Sequence, residues 1–206
     1  MPSTIPYSVH SYVDEWLDTD REARGALIYV PGRSYTKDLA LEHLGNFMRV
    51  YGIARNFPAA YGGAGESLLD LIEQSTFNQD VNEAYVAFFR SLKVKYGRNL
   101  YSAASKLLWL RFGSPFRLYD RFADKWLRRK GKISTSEVTW YGEYCDLWQQ
   151  QFEQHQEEIR DECVELSKAK RFFVPSTEDE IALETVLRET WFHERVFDHF
   201  ISWPEV

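Results

Sequence analysis

Apolar residues along this chain return at steps of three and four, the period of a helix face, and rarely settle into the alternation of a strand. The stretch SVHSYVDEWLD, from Ser8, predicts a short amphipathic helix. KDLALEHLGNFMRVYG runs on helical spacing and stops at Gly52, and QDVNEAYVAFFRSLKVKYG does the same and closes at Gly97. Between them NFPAAYGGAGES reads as a loop by its Pro and Gly, and Glu66 leads into a helix over SLLDLIEQSTF. Leu27 to Val30, ahead of Pro31-Gly32, leaves room for one brief strand. The longest element is expected from about Ser136 to Arg171, with Tyr141, Tyr144, Trp148, Phe152, Ile159, Cys163 and Leu166 forming one apolar row that includes His155. A last helix follows PSTEDE, where Ser176 or Thr177 can cap and the acids suit a first turn; it carries Trp191, Phe192, Phe197, Phe200 and Trp203. With no internal repeat, low-complexity tract or linker, the expectation is an all-α fold in a single helical domain over residues 1–206.

One segment breaks the pattern by what it places in the middle of an apolar run. In SAASKLLWLRFGSPFRLYD, residues 102–120, apolar side chains lie all around the helix wheel, and Ser102, Ser105, Lys106 and Arg111 interrupt them. A helix apolar on every side is a central one. Lys106, flanked by Ala103, Trp109 and Leu110, is therefore expected to lose part of its water. Desolvation favours the neutral amine, which is a nucleophile toward electrophilic carbon and can form a Schiff base. The ordinary alternative is a lysine that threads its stem along the core and keeps its head at the rim. Gly113, Ser114 and Pro115 then break the helix, and Asp120 stands just before RFADKWL, where an N-cap is expected. The two helices would form a hairpin over residues 97–130, with Lys106 as nucleophile and Asp120 as its carboxylate partner. Trp109, Phe116 and Tyr119 either stack a base or pack.

Charge sharpens this picture. The chain of 206 residues has a net charge of −6, yet the window Arg90–Lys132 holds thirteen of the 25 Lys and Arg against two of the 31 acids. That local balance of +11 leaves −17 for the remainder. A basic middle between acidic ends points to a polyanionic partner, or else to a segment satisfied by the chain's own acidic helices. Arg98, Arg117, Arg121, Lys125, Arg128 and Arg129 are the candidates for phosphate contacts, with Ser102 and Ser105 in support. The 44% hydrophobic and 27% charged composition is that of a soluble globular protein, and no apolar run is long enough to span a bilayer. The first twenty residues lack the basic start of a signal peptide, and the two cysteines, Cys145 and Cys163, fall on one predicted helix beyond bridging distance. A cytoplasmic location follows as the expectation, with no metal site and no cofactor.

Ser102, Ser105, Lys106, Leu107, Leu108 and Trp109, followed by Tyr119 and Asp120, resemble the core of a bacterial branch of 8-oxoguanine-glycosylase-fold proteins in the helix-hairpin-helix DNA glycosylase superfamily. About 30 residues carry the resemblance. It implies an all-α fold in which the lysine attacks the sugar C1′ of a nucleotide bearing an oxidised purine, a Schiff base forms, and β-elimination cuts the strand with help from the aspartate. It also implies a flipped base held by stacking and edge contacts. The branch is similar to proteins that accompany phage-defence operons, so partners from such an operon are expected beside nucleic acid or a nucleotide. The chain departs from the family in lacking Gly-x-Gly in the hairpin, where Gly97, Arg98 and Asn99 stand, and in lacking the four cysteines of an iron–sulfur version. Two further readings remain open: a non-catalytic nucleic-acid-binding or defence-accessory protein that keeps the fold, and a protein-binding module using the acidic face of residues 153–165.

Overall fold

Helices make up the secondary structure of the computed structural model, which describes residues 4–27, 36–57, 64–169 and 176–202; among them there is no strand. The expected strand falls at Leu27, which is helical, and at 28–30, which lie outside the described residues, as do Arg171 and Trp203. In chain order the helices are α1 (Ile5–Glu15), α2 (Arg21–Leu27), α3 (Lys37–Val50), α4 (Ala64–Gln74), α5 (Val81–Tyr96), α6 (Tyr101–Phe112), α7 (Arg121–Arg128), α8 (Trp140–Ala169), α9 (Thr177–Val186) and α10 (Thr190–Ser202). A π-helical turn, Trp16–Asp20, joins α1 to α2.

Local chemistry sets most of these boundaries. Thr4, Thr36, Asp80 and Ser176 each cap the following helix by accepting a backbone N–H at the third residue on. Gly97 ends α5 in the left-handed region at φ 67°, where a side chain would be strained. Helix α8 starts at Trp140, later than the periodicity implies, because Ser134 and Ser136 divert the preceding backbone. The Ser136 N–H donates to Ser134 Oγ at 2.8 Å, and the Ser134 N–H donates to the Glu143 carboxylate at 2.6 Å.

The contacts divide the chain into two compact units that interleave in sequence. The middle unit comprises Asp18–Tyr119 and Ser134–Cys145; the terminal unit comprises Met1–Leu17, Asp120–Ile133 and Asp146–Val206. In the middle unit α6 is the central helix and packs against α2, α4 and α5, while α3 packs against α2 and α4. The first turns of α8 add an aromatic wall: Tyr141 stacks on Tyr85 at 3.8 Å between centroids, and Trp140 meets Tyr85, Tyr101 and Tyr119 edge-on.

In the terminal unit α10 packs against α1 and α7. Its core sets Trp148 and Phe152 of α8 against Phe197 and holds a buried ionic network. The Trp148 indole N–H donates to Asp198 at 2.8 Å, and Arg195 bridges Asp198 at 2.8 Å and Glu15 at 3.0 Å. Pairing on both sides is what allows a guanidinium only 3% exposed to stay charged. The apolar residues of the row expected on α8 are all buried, from Tyr141 to Leu166, with His155 half-buried among them, and they serve the middle unit with the first residues and the terminal unit with the rest.

Candidate functional site

Helix α6 is buried on nearly every side, as its wheel implies: Ala103, Ala104, Ser105, Leu107, Leu108, Trp109 and Leu110 are all in the core. Lys106 alone in this run from 103 to 110 is half-exposed. Its amine donates to the backbone carbonyl of Tyr51 at 3.0 Å and lies 5.8 Å from the centre of the Tyr51 ring. Tyr51 is the C-cap of α3, so the carbonyl belongs to the negative end of a helix, and the ring face is a second partner for positive charge. The amine therefore sits at the rim of a packed helix, against the Tyr51 carbonyl and ring.

Tyr51 is fixed from its other end as well. Its hydroxyl donates to Asp20, lying 2.9 Å from both carboxylate oxygens, and Asp20 is fully buried at the end of the π-helical turn. Phe47 stacks on the Tyr51 ring at 4.1 Å, and Trp109 lies 6.3 Å from both rings. The guanidinium of Arg24 sits 4.9 Å over Trp109. Gly113, at φ 70°, permits this approach: a Cβ there would lie 2.9 Å from Arg24 Nη2. Tyr51 thus touches the lysine directly, Asp20 holds Tyr51, and Arg24 covers the neighbouring Trp109, all three from sequence positions far from Lys106. The distances between them along the chain hide this grouping, and the π-turn that aims Asp20 inward has no sequence signature; single π-turns of this kind recur at functional sites.

The connection from Gly113 to Tyr119 is pinned to the middle unit by its backbone. The Arg117 N–H donates to the Tyr141 hydroxyl at 3.1 Å, and that hydroxyl donates in turn to the Arg117 carbonyl at 2.7 Å. Burial pushes the Tyr141 phenol well above its ordinary pKa, which keeps its proton in place for this bond. Tyr144 donates to the Leu118 carbonyl at 2.8 Å. Ser105 is fully buried; its hydroxyl donates to the Ser102 carbonyl at 3.0 Å and accepts the Tyr119 N–H at 2.9 Å. Of the residues expected to touch a substrate, Trp109 and Phe116 lie in the core, Phe116 against Phe77 and Phe112, while Ser102 and Tyr119 are half-exposed. Tyr119 meets Trp140 and Tyr144 edge-on.

Lys106 and Asp120 belong to different units. Asp120 is the N-cap of α7: its backbone is extended and its carboxylate accepts the Phe122 N–H at 2.7 Å. Helix α7 buries Ala123 and Leu127 and exposes Arg121, Lys125 and Arg128, with Arg129 just beyond. Arg128 pairs with Asp124 at 2.8 Å and donates to the Ile133 carbonyl at 2.7 Å. In the middle unit Arg98 is exposed, whereas Arg117 is buried at 6% exposure and is removed from any surface array.

Among the described residues no cluster of three His, Cys, Asp or Glu is placed to hold a metal ion, and no helix is long and apolar enough to cross a membrane. No family model, no curated protein and no solved structure matches the chain.

Proposed function

We propose that the middle unit is a lysine-dependent glycosylase and lyase module acting on a modified, 8-oxoguanine-like purine in nucleic acid or a nucleotide. The observation that carries the reading is the setting of the Lys106 amine, half-exposed between the buried residues 103–105 and 107–110 and bordered by the Tyr51 ring and carbonyl. Entry of a sugar at this rim would bring C1′ to the amine, which loses a proton to solvent before it attacks. The neutral amine attacks C1′, and the bond from C1′ to the base breaks with its electron pair leaving on the base, which takes up a proton. Ring opening puts the amine's proton on the sugar ring oxygen and leaves C1′ doubly bonded to Nζ. Loss of a C2′ proton then expels the 3′ phosphate, and water hydrolyses the imine to return the lysine. Asp20, through its double contact with the Tyr51 hydroxyl, holds the wall along which the sugar would lie.

A second reading, a nucleic-acid-binding protein without catalysis, is favoured by one specific observation: both Lys106 and Asp120 already have structural work, the first at the end of α3 and the second at the start of α7. Borohydride reduction in the presence of abasic DNA or DNA containing 8-oxoguanine separates the two. The enzyme reading expects a covalent adduct in the wild type and none in Lys106→Gln. Binding that survives in both proteins, with no adduct in either, overturns it in favour of the second reading.

A further inference from the structure

The basic surface of the terminal unit carries an aromatic side chain that the charge pattern alone does not account for. Phe122, the second residue of α7, is 39% exposed although a phenyl ring of this size usually finds cover. The Arg121 guanidinium lies 5.2 Å from its ring centre. Lys125 follows at i+3 and Arg129 lies two turns along, so cations border the ring on the same helix surface. Just past the helix, Lys130 is exposed and its amine sits 4.9 Å over the Trp126 ring; Lys132 is exposed as well. Trp126 itself is half-buried, wedged edge-on between His155, Phe197 and Phe200 of the same unit. That wedge and the burial of Ala123 and Leu127 hold α7 firmly, which makes its outer face a fixed surface.

We propose that this face is a platform for single-stranded nucleic acid, with Phe122 stacking an unpaired base and Arg121, Lys125, Lys130 and Lys132 taking the phosphates on either side. The proposal rests on the reading that the ligand is nucleic acid, and it specifies the strand state, which that reading leaves open. An exposed ring flanked by cations is what single strands use: every base has a face to stack, and the backbone supplies the negative charge. A duplex hides its base faces and would use the cations alone. A membrane surface fits less well. An interfacial helix inserts a broad apolar face, and the apolar face of α7 is already spent on its own unit, leaving a single ring outward.

The test uses the full chain and fluorescence anisotropy with a labelled single-stranded DNA, the same sequence as a duplex, and anionic phospholipid vesicles. Phe122→Ala is expected to weaken single-strand binding by about 5- to 100-fold, with duplex binding nearly unchanged, and Phe122→Trp to restore it. Changing Lys125 and Lys130 to Gln should lower the slope of log K against log salt for the single strand by roughly 1.4, at about 0.7 per lost phosphate contact. Equal binding by wild type and Phe122→Ala overturns the platform, even if the salt slope falls. Absence of binding to either DNA form overturns it too, as does binding to vesicles in preference to DNA. Lys106→Gln is carried through the same series: retained binding together with failed borohydride trapping in the wild type removes the enzyme reading and leaves the platform standing.

Discussion

Replacing Ser105 by Ala tests whether the hairpin connection is held by the clasp described above. The hydroxyl is fully buried and serves two backbone groups, but the two do not count equally. The Ser102 carbonyl lies within α6 and keeps its place in the helical ladder without the hydroxyl. The Tyr119 N–H, 2.9 Å from Ser105 Oγ, stands outside any helix and loses its acceptor. Leaving such a donor unsatisfied costs about 1–3 kcal/mol, while Ala gains roughly 0.5 kcal/mol over Ser in a helix interior. The net expectation is a loss of about 1–2 kcal/mol, read in urea as a midpoint lowered by roughly 0.5–1 M for a slope near 2 kcal/mol/M. Hydrogen exchange gives a site-specific reading: the Tyr119 amide should exchange about 5- to 30-fold faster, while the amides of α10 stay within the change set by global stability. A midpoint unchanged within error, with Tyr119 exchange as slow as in the wild type, refutes the reasoning.

Asp120→Ala should cost about 1 kcal/mol by removing the cap of α7, whereas Asp120→Ser keeps a capping oxygen and should unfold at nearly the wild-type midpoint. Borohydride trapping by Asp120→Ser then asks whether the charge matters to the reaction, since the cap is preserved. His193 is buried with its Nε2–H donating to the Leu187 carbonyl at 2.9 Å, and burial lowers its pKa although that bond partly offsets the shift. The unfolded chain therefore binds the proton more readily, so stability should fall as pH drops below about 6.5, and His193→Gln should flatten that loss in urea midpoints taken between pH 7 and 5. Burial also pushes the Cys163 thiol up to about 12. Its unfolded form ionises near 8.5, so the contribution is complete below that pH and is lost as pH rises from about 8.5 toward 12. At pH 8 iodoacetamide should leave Cys163 unmodified in the native protein and label it in urea; rapid native labelling would show the helix face to be open.

Sequence alone determined what depends on near neighbours. The apolar row of α8 was readable from Tyr141 to Leu166 because helical spacing puts those side chains on one face whatever they meet. Asp120 and Ser176 were readable as caps because the capped N–H groups lie two and three residues ahead. The burial of α6 followed from apolar residues on all its sides, while the rim position of Lys106 was one of two readings that the sequence left open. Tertiary structure decided the rest. The amine's partner is a carbonyl 55 residues away, and the carboxylate behind that residue lies 31 residues further back, separations no local pattern encodes. Whether Trp109, Phe116 and Arg117 face a ligand or the core depended on which helices came to cover them, and Phe77 and Tyr141 settle that for the connection. The division into two interleaved units was likewise invisible, because it follows from which helices bury each other's apolar faces, and the sequence shows each face without its partner.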